Sequence, residues 1–322
     1  MKCHALVFSF VCLVLALQSH AFIREEKGFF KLNCGTLSGK VHFRTSVDTR
    51  KPFANKFAIL IEGSPLSEYF SNNFGNFEVI FWSLIANGYK VLELKYPQGN
   101  IKSPNSGYAY GFYAACLHQG MEAVIQHEGH LYDAMVKRLK YDPRNSQHEL
   151  VAFGFSIGAS KLQSMAFTLG KPFDRIGIAG VLLGDVENGS KTDLTNLDGI
   201  SWASFLQYAR QISSDGLGCA GSEFTAKYNF EKQKYFTTSS LAMFEGTKTR
   251  IASFESTANP GQVRYIAQKR LEYGAPTETF FYENCDHDVI KCAGKKIAQD
   301  IVHFLTSGGE PVFDIERFLR GH

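Results

Sequence analysis

The chain lacks a strong charge of either sign. Across 322 residues the formal net charge is only +3. Lysine and arginine are scattered, with no basic stripe, which argues against a nucleic-acid partner. After the N-terminus no run is long and apolar enough to span a bilayer. Zinc-type spacing is missing too, with neither C-x2-C nor H-x3-H, so no metal is expected. His127-Glu128-Gly129-His130 falls one residue short of H-E-x-x-H; its histidines would stand at i and i+3 with no obvious third ligand, and it reads as solvated surface. Internal repeats and low-complexity linkers are absent, so a second independent domain is not supported.

Cysteine is sparse and uneven. Cys3 and Cys12 fall in residues 1–21, which read as a signal peptide. Lys2 supplies the charge, Ala5 to Leu17 is a nearly unbroken apolar run, and Ser19-His20-Ala21 ends on a small residue suited to cleavage before Phe22. The expectation is a secreted product, with 22–322 forming one domain. Five cysteines then remain: Cys34, Cys116, Cys219, Cys285 and Cys292. An oxidising compartment favours disulfides, and an odd count leaves one thiol free or paired outside the chain. Cys285 and Cys292 are close in sequence, and a small loop bridging them is expected. Asn188-Gly189-Ser190 is an N-glycosylation sequon, which on a secreted chain would lie on an exposed loop.

What is present is an alternation of strand-like and helix-like segments. Lys40 to Thr45 alternates as a half-buried strand. Phe57 to Ile61 is a continuous apolar run, as in a strand covered on both faces. Phe77 to Ala86 reads as a helix closed by Asn87-Gly88. Tyr89 to Leu94 is the next strand, Tyr96 to Tyr113 a long loop, and Met121 to Leu139 a helix. Ile176 to Leu183, Arg250 to Phe254 and Glu278 to Tyr282 are further strands, and Lys295 to Leu305 is an amphipathic helix. This order predicts an α/β fold, with a mainly parallel central sheet and helices on both faces. One stretch, about 186–249, is too long for a connection in a compact sheet and reads as an inserted cap or lid.

Gly154-Phe155-Ser156-Ile157-Gly158 matches G-x-S-x-G in a context that gives it meaning. Glu149 to Phe153 is strand-like, and Ala159 to Leu169 is helix-like, stopped by Gly170 and Pro172. Strand, tight turn, helix is the setting of a nucleophile elbow, where a serine is held exposed at a strand tip. Ser156 is therefore a candidate nucleophile.

With these residues in place, the chain resembles the α/β-hydrolase superfamily. Phe57 to Pro65 looks like the strand and H-G-x-P-type turn that supply half of an oxyanion hole, although Glu62 stands where that turn has histidine. Gly88 to Leu94 resembles the following G-Y-x-V strand. Asn284-Cys285-Asp286-His287-Asp288 sits after the last strand and before the last helix, where the superfamily carries its catalytic histidine. The resemblance implies Ser156 as nucleophile, His287 as general base, and the Ile157 and Ser64 backbone N–H groups as oxyanion donors. The acid is less defined. Asn259 falls where the superfamily commonly has aspartate, Glu255 ends the same strand, and Asp185 ends the preceding one, the position used by lipases of the pancreatic type. Asp185 is the first choice, with Glu255 and Asn259 open. The function implied is ester hydrolysis on a small-molecule or lipid substrate, without a cofactor. The altered turn and the displaced acid keep open a catalytically inactive binding protein of the same fold, and a secreted peptidase differs only in substrate.

Overall fold

The computed structural model describes residues 22–50, 55–62, 77–95, 101–102, 109–110, 121–155, 157–180, 249–256, 277–283, 285 and 289–307. The chain opens with a long hairpin. β1 (Ile23–Cys34) pairs antiparallel with β2 (Leu37–Asp48) through all twelve residues of each strand, from Ile23 opposite Asp48 to Cys34 opposite Leu37. β3 (Lys56–Ile61) follows, then α1 (Glu78–Ala86) and β4 (Lys90–Lys95). α1 ends where its sequence says it must. Gly88, at φ 85°, takes the left-handed conformation that only glycine adopts cheaply. There the Gly88 N–H donates to Ile85 O at 2.9 Å and the Tyr89 N–H to Leu84 O at 3.0 Å, a Schellman closure that satisfies the last carbonyls.

The stretch expected as one long loop contains a small antiparallel pair, β5 (Ile101–Lys102) with β6 (Ala109–Tyr110). Next come α2 (Met121–Leu139), β7 (Glu149–Phe155), α3 (Ile157–Gln163), β8 (Arg175–Ala179), β9 (Arg250–Ser256), β10 (Thr277–Tyr282) and α4 (Val289–Ser307). α3 runs on into a π-helical turn at Ser164–Thr168, where the Leu169 N–H reaches back to Ser164 O at 3.0 Å. α4 is broken at Gly294, whose φ of 54° and ψ of −123° leave the helix, so the expected helix from Lys295 is preceded by one further short helical stretch. The expected cap, about 186–249, lies outside the described residues.

The main sheet has eight strands in the order β1-β2-β4-β3-β7-β8-β9-β10. The β1–β2 and β2–β4 contacts are antiparallel, and every contact from β4 onward is parallel. The mainly parallel sheet expected from the alternation is therefore present. Its pleat sorts the core into two layers. Phe57, Ile59 and Ile61 of β3 pack with Ala152, Ile176 and Ile178 against α2 and α3. Ala58 and Leu60, with Val151, Phe153 and Phe254, pack against α1 and α4. The continuous apolar runs in the central strands follow from this double coverage. At the end of the sheet away from Ser156, Arg175 Nε donates to Leu305 O at 3.0 Å and Tyr89 Oη donates to it at 3.2 Å. These bonds occupy a carbonyl in the last turn of α4, which has no acceptor role inside the helix.

Candidate functional site

β7 ends at Phe155 and α3 begins at Ile157, so a single residue, Ser156, separates strand from helix. Ser156 itself lies outside the described residues, but the glycines on either side are fixed. A β-carbon on Gly154 would lie 2.6 Å from the carbonyl carbon and oxygen of Gly158 and 2.7 Å from the Ala159 nitrogen. A β-carbon on Gly158 would lie 2.1 Å from Ile61 O and 2.7 Å from Glu62 O. Both obstacles are main chain, which has no flexible end to swing aside. The first glycine lets the chain fold back on itself, and the second lets α3 start directly against the end of β3.

The second contact places the end of β3 beside the strand-to-helix junction. Ile61 is level with Gly154 in the sheet, and Phe155, Ala179, Phe254 and Phe280 stand in one register row across β7, β8, β9 and β10. Because these strands are parallel, their carboxyl ends share one edge, where ligand sites of open α/β sheets gather. Each sequence-derived site residue follows one of those ends. Ser64 comes after β3, Ser156 after β7, Asp185 after β8, Asn259 after β9 and His287 after β10. All five, and the sequon at Asn188, lie outside the described residues. Glu255 is described: it is buried in β9, opposite Phe281 of β10. The backbone of Ile157 is in place as the first residue of α3. Cys285 and Cys292 are joined, with their Sγ atoms 2.11 Å apart, and His287 falls between them in the sequence. Cys34 is also buried and disulfide-bonded.

Two clusters of buried charge were not legible as such in the sequence. The first adjoins the end of β3. Arg44 of β2 stands opposite Glu93 of β4. Its Nε donates to Glu93 Oε2, its Nη1 donates to Glu78 Oε1 of α1 at 2.8 Å, and its guanidinium lies 3.9 Å from the centre of the Phe81 ring. Glu93 is fully buried and Glu62 nearly so. Burial pushes the Glu93 carboxyl up to about 8 against the pull of Arg44, and the Glu62 charge pushes the same way. The sequence signal was there: Glu93 interrupts the apolar strand Val91 to Leu94, and Glu62 ends the run in β3.

The second cluster corrects the reading of His127 and Glu128 as solvated surface. Both are fully buried, while His130 is exposed. Val124, His127, Glu128, Leu131 and Met135 fall on the stripe of α2 that faces the sheet, together with Lys161 of α3, which is also buried. His127 Nδ1 donates to Asn33 O at 3.2 Å. Desolvation, with the nearby Lys161 charge, lowers the His127 imidazole to about 4. No group of three or more His, Cys, Asp or Glu side chains among the described residues could hold a metal ion. Nor is any helix there long and apolar enough to cross a membrane.

Known structures share this fold. A highly thermostable carboxyl esterase from Bacillus coagulans superposes with a TM-score of 0.57 at 13% identity, over 88% of this chain and 98% of that one. A lipase in its open form gives 0.55 at 14% identity, over 88% and 99%. The thermophilic carboxylesterase EstE1, cloned from a metagenomic library, gives 0.54 at 13% identity, over 91% and 94%. No protein-family model and no curated protein sequence matches the chain. At such identities the likeness is one of fold, and it coincides with the strand order, the helices on both faces and the one-residue junction at Ser156: the chain has the α/β-hydrolase fold.

Proposed function

We propose that this chain is a secreted serine hydrolase that cleaves carboxylic esters through an acyl-enzyme. The observation that carries the reading is the packing of Gly154 and Gly158, neither of which has room for a β-carbon, on the two sides of Ser156. A main chain that tightly folded is what a serine needs to be presented at a strand tip. Fold alone supports many chemistries, so the reading rests on this junction rather than on likeness.

Ser156 Oγ would attack the ester carbonyl while His287 takes its proton, and the imidazolium would then protonate the leaving alcohol. Water would enter by the same base to release the acid. Asp185 is the first choice to orient the imidazole. The negative charge of the tetrahedral intermediate would fall to the N–H groups of Ile157 and Ser64. Ile157 opens α3, so its N–H has no acceptor within the helix. This route calls for no cofactor. The substrate would be a small-molecule or lipid ester, with the 186–249 segment as the cap that shapes its pocket.

Glu62 in place of a turn histidine, and Asn259 in place of the common acid, favour as second reading a catalytically inactive binding protein of the same fold. A fluorophosphonate probe separates the two. Labelling of the wild-type chain that is lost in Ser156→Ala, with hydrolysis of p-nitrophenyl esters lost alongside, is the expected result. A chain that neither labels nor hydrolyses is the binding protein. Labelling with turnover of peptide amides but not esters makes it a peptidase.

A further inference from the structure

One face of the β1–β2 hairpin is covered at its inner end and open at its outer end. Side chains alternate along the strands, so Lys27, Phe29 and Lys31 of β1 share a face with Lys40, His42 and Arg44 of β2. Arg44 is the covered end, held under α1 by Glu78 and the Phe81 ring. The others are exposed, and Phe29 keeps 49% of its surface in water. The opposite face of the hairpin is packed: Leu32, Cys34 and Val41 belong to the core layer that α2 covers.

The open end carries more positive charge than it balances. Lys31 and Lys40 stand directly opposite each other across the strand pair, where like charges weaken a sheet. Among the described residues no carboxylate pairs with either. Glu25, the next acid along β1 on this face, is taken up by Lys27 at 3.1 Å. Lys40 Nζ lies instead 4.2 Å from the centre of the Phe29 ring. The face thus lacks both an anion for its lysines and an apolar cover for its ring. A soluble polyanion would supply only the first. The head groups and acyl boundary of an anionic bilayer supply both.

Register places this face at the carboxyl edge of the sheet. His42 is opposite Lys95, the last residue of β4, and Leu94 is level with Ile61, which is level in turn with Gly154. Leu37 to Val41, paired with Phe30 to Cys34, run on past the end of β4, for roughly 16 Å. We propose that the Phe29 face of the hairpin docks the protein on an anionic lipid surface. The docking does not rest on the hydrolase reading. Its use does: a lipid ester would then be met at the edge of the sheet that carries Ser156.

The experiment is cosedimentation of the protein with vesicles of phosphatidylcholine alone and of phosphatidylcholine with phosphatidylserine, at low and high salt. Wild type is expected to bind the phosphatidylserine vesicles, to release them as salt rises, and to leave the neutral ones unbound. Each lysine near such a surface contributes about fivefold in partitioning, so Lys31→Gln with Lys40→Gln should weaken binding about 25-fold. Lys137→Gln with Lys295→Gln, which removes the same charge elsewhere on the surface, should change it far less. In Phe29→Trp the indole emission should shift to the blue on anionic vesicles only, as the ring leaves water. Absence of wild-type binding, binding that ignores lipid charge or salt, or equal losses in the two lysine pairs overturns the proposal. Binding of a soluble polyanion such as heparin, with no blue shift on vesicles, overturns the lipid as occupant. Because every readout is binding, a chain that fails to hydrolyse esters defeats the hydrolase reading and leaves this one to its own result.

Discussion

A β-carbon on Gly158 would stand 2.1 Å from the carbonyl oxygen of Ile61, closer than any real carbon approaches. The start of α3 and the end of β3 are thus in main-chain contact, with no side chain between them to adjust. Gly158→Ala should therefore cost more than an ordinary overpacking change, about 3 kcal/mol or above. Gly170→Ala is the contrast. Its β-carbon would meet nothing within 4 Å, and only its positive φ resists substitution, at about 1 kcal/mol. Chemical denaturation of the two variants checks the order; equal losses would mean that the β3–α3 contact is looser than described.

The Cys285–Cys292 bridge closes a short loop around His287. Removing it in a Cys285→Ser, Cys292→Ser double variant should lower stability by about 2–3 kcal/mol, from the freedom returned to the unfolded chain. On the hydrolase reading kcat should fall as well, measured well below the Tm, because the proposed base is no longer tethered. Non-reducing peptide mapping should recover the 285–292 pair intact. Unchanged kcat in the double variant would show that the base is held by other contacts.

His127 gives the protein an acid-labile point. Its folded-state value near 4 lies below the ordinary value of 6.5 because burial disfavours the imidazolium. For a depressed group the stabilisation is present above the unfolded value and is lost as pH falls toward the folded one. Between pH 7 and pH 4.5 this one residue should remove about 2–3 kcal/mol. His127→Asn keeps an N–H to offer the Asn33 carbonyl and removes the titration. Urea denaturation at the two pH values should show a smaller acid loss in the variant; an equal loss would assign acid sensitivity elsewhere.

On the hydrolase reading, the orienting acid is decided by three single substitutions. Asp185→Ala, Glu255→Ala and Asn259→Ala should differ sharply in kcat on one ester, with about a 10⁴-fold loss at the true orienter. The expected position is Asp185. Collapse at Glu255 instead would place the acid on β9, where that carboxyl is already buried near the site edge. Collapse at Asn259 would point to an amide-oriented imidazole.

Much of the architecture was written locally. Phe57 to Ile61 and Val91 to Leu94 read as covered strands because their side chains have to satisfy two layers, and the two core layers confirm that each face is packed. α2 could be bounded from its own periodicity, and α1 from its Asn-Gly ending, because helix ends are settled by hydrogen bonds within a few residues. The elbow glycines announced themselves by spacing. Ile23 to Cys34 was not read as a strand. Its outward residues are largely charged and its pattern is weak, and it is ordered by full-length pairing with β2.

Tertiary structure alone decided the state of the buried charges. Arg44, His127 and Glu128 look in sequence like any polar residues that keep to water. Arg44 and Glu93 are 49 residues apart and meet because β2 lies antiparallel beside β4. His127 is neutral because β1 and α3 close over one stripe of α2. Periodicity can say which residues share a face. Only the element that covers the face removes the water, and it is the loss of water that changes a proton's affinity.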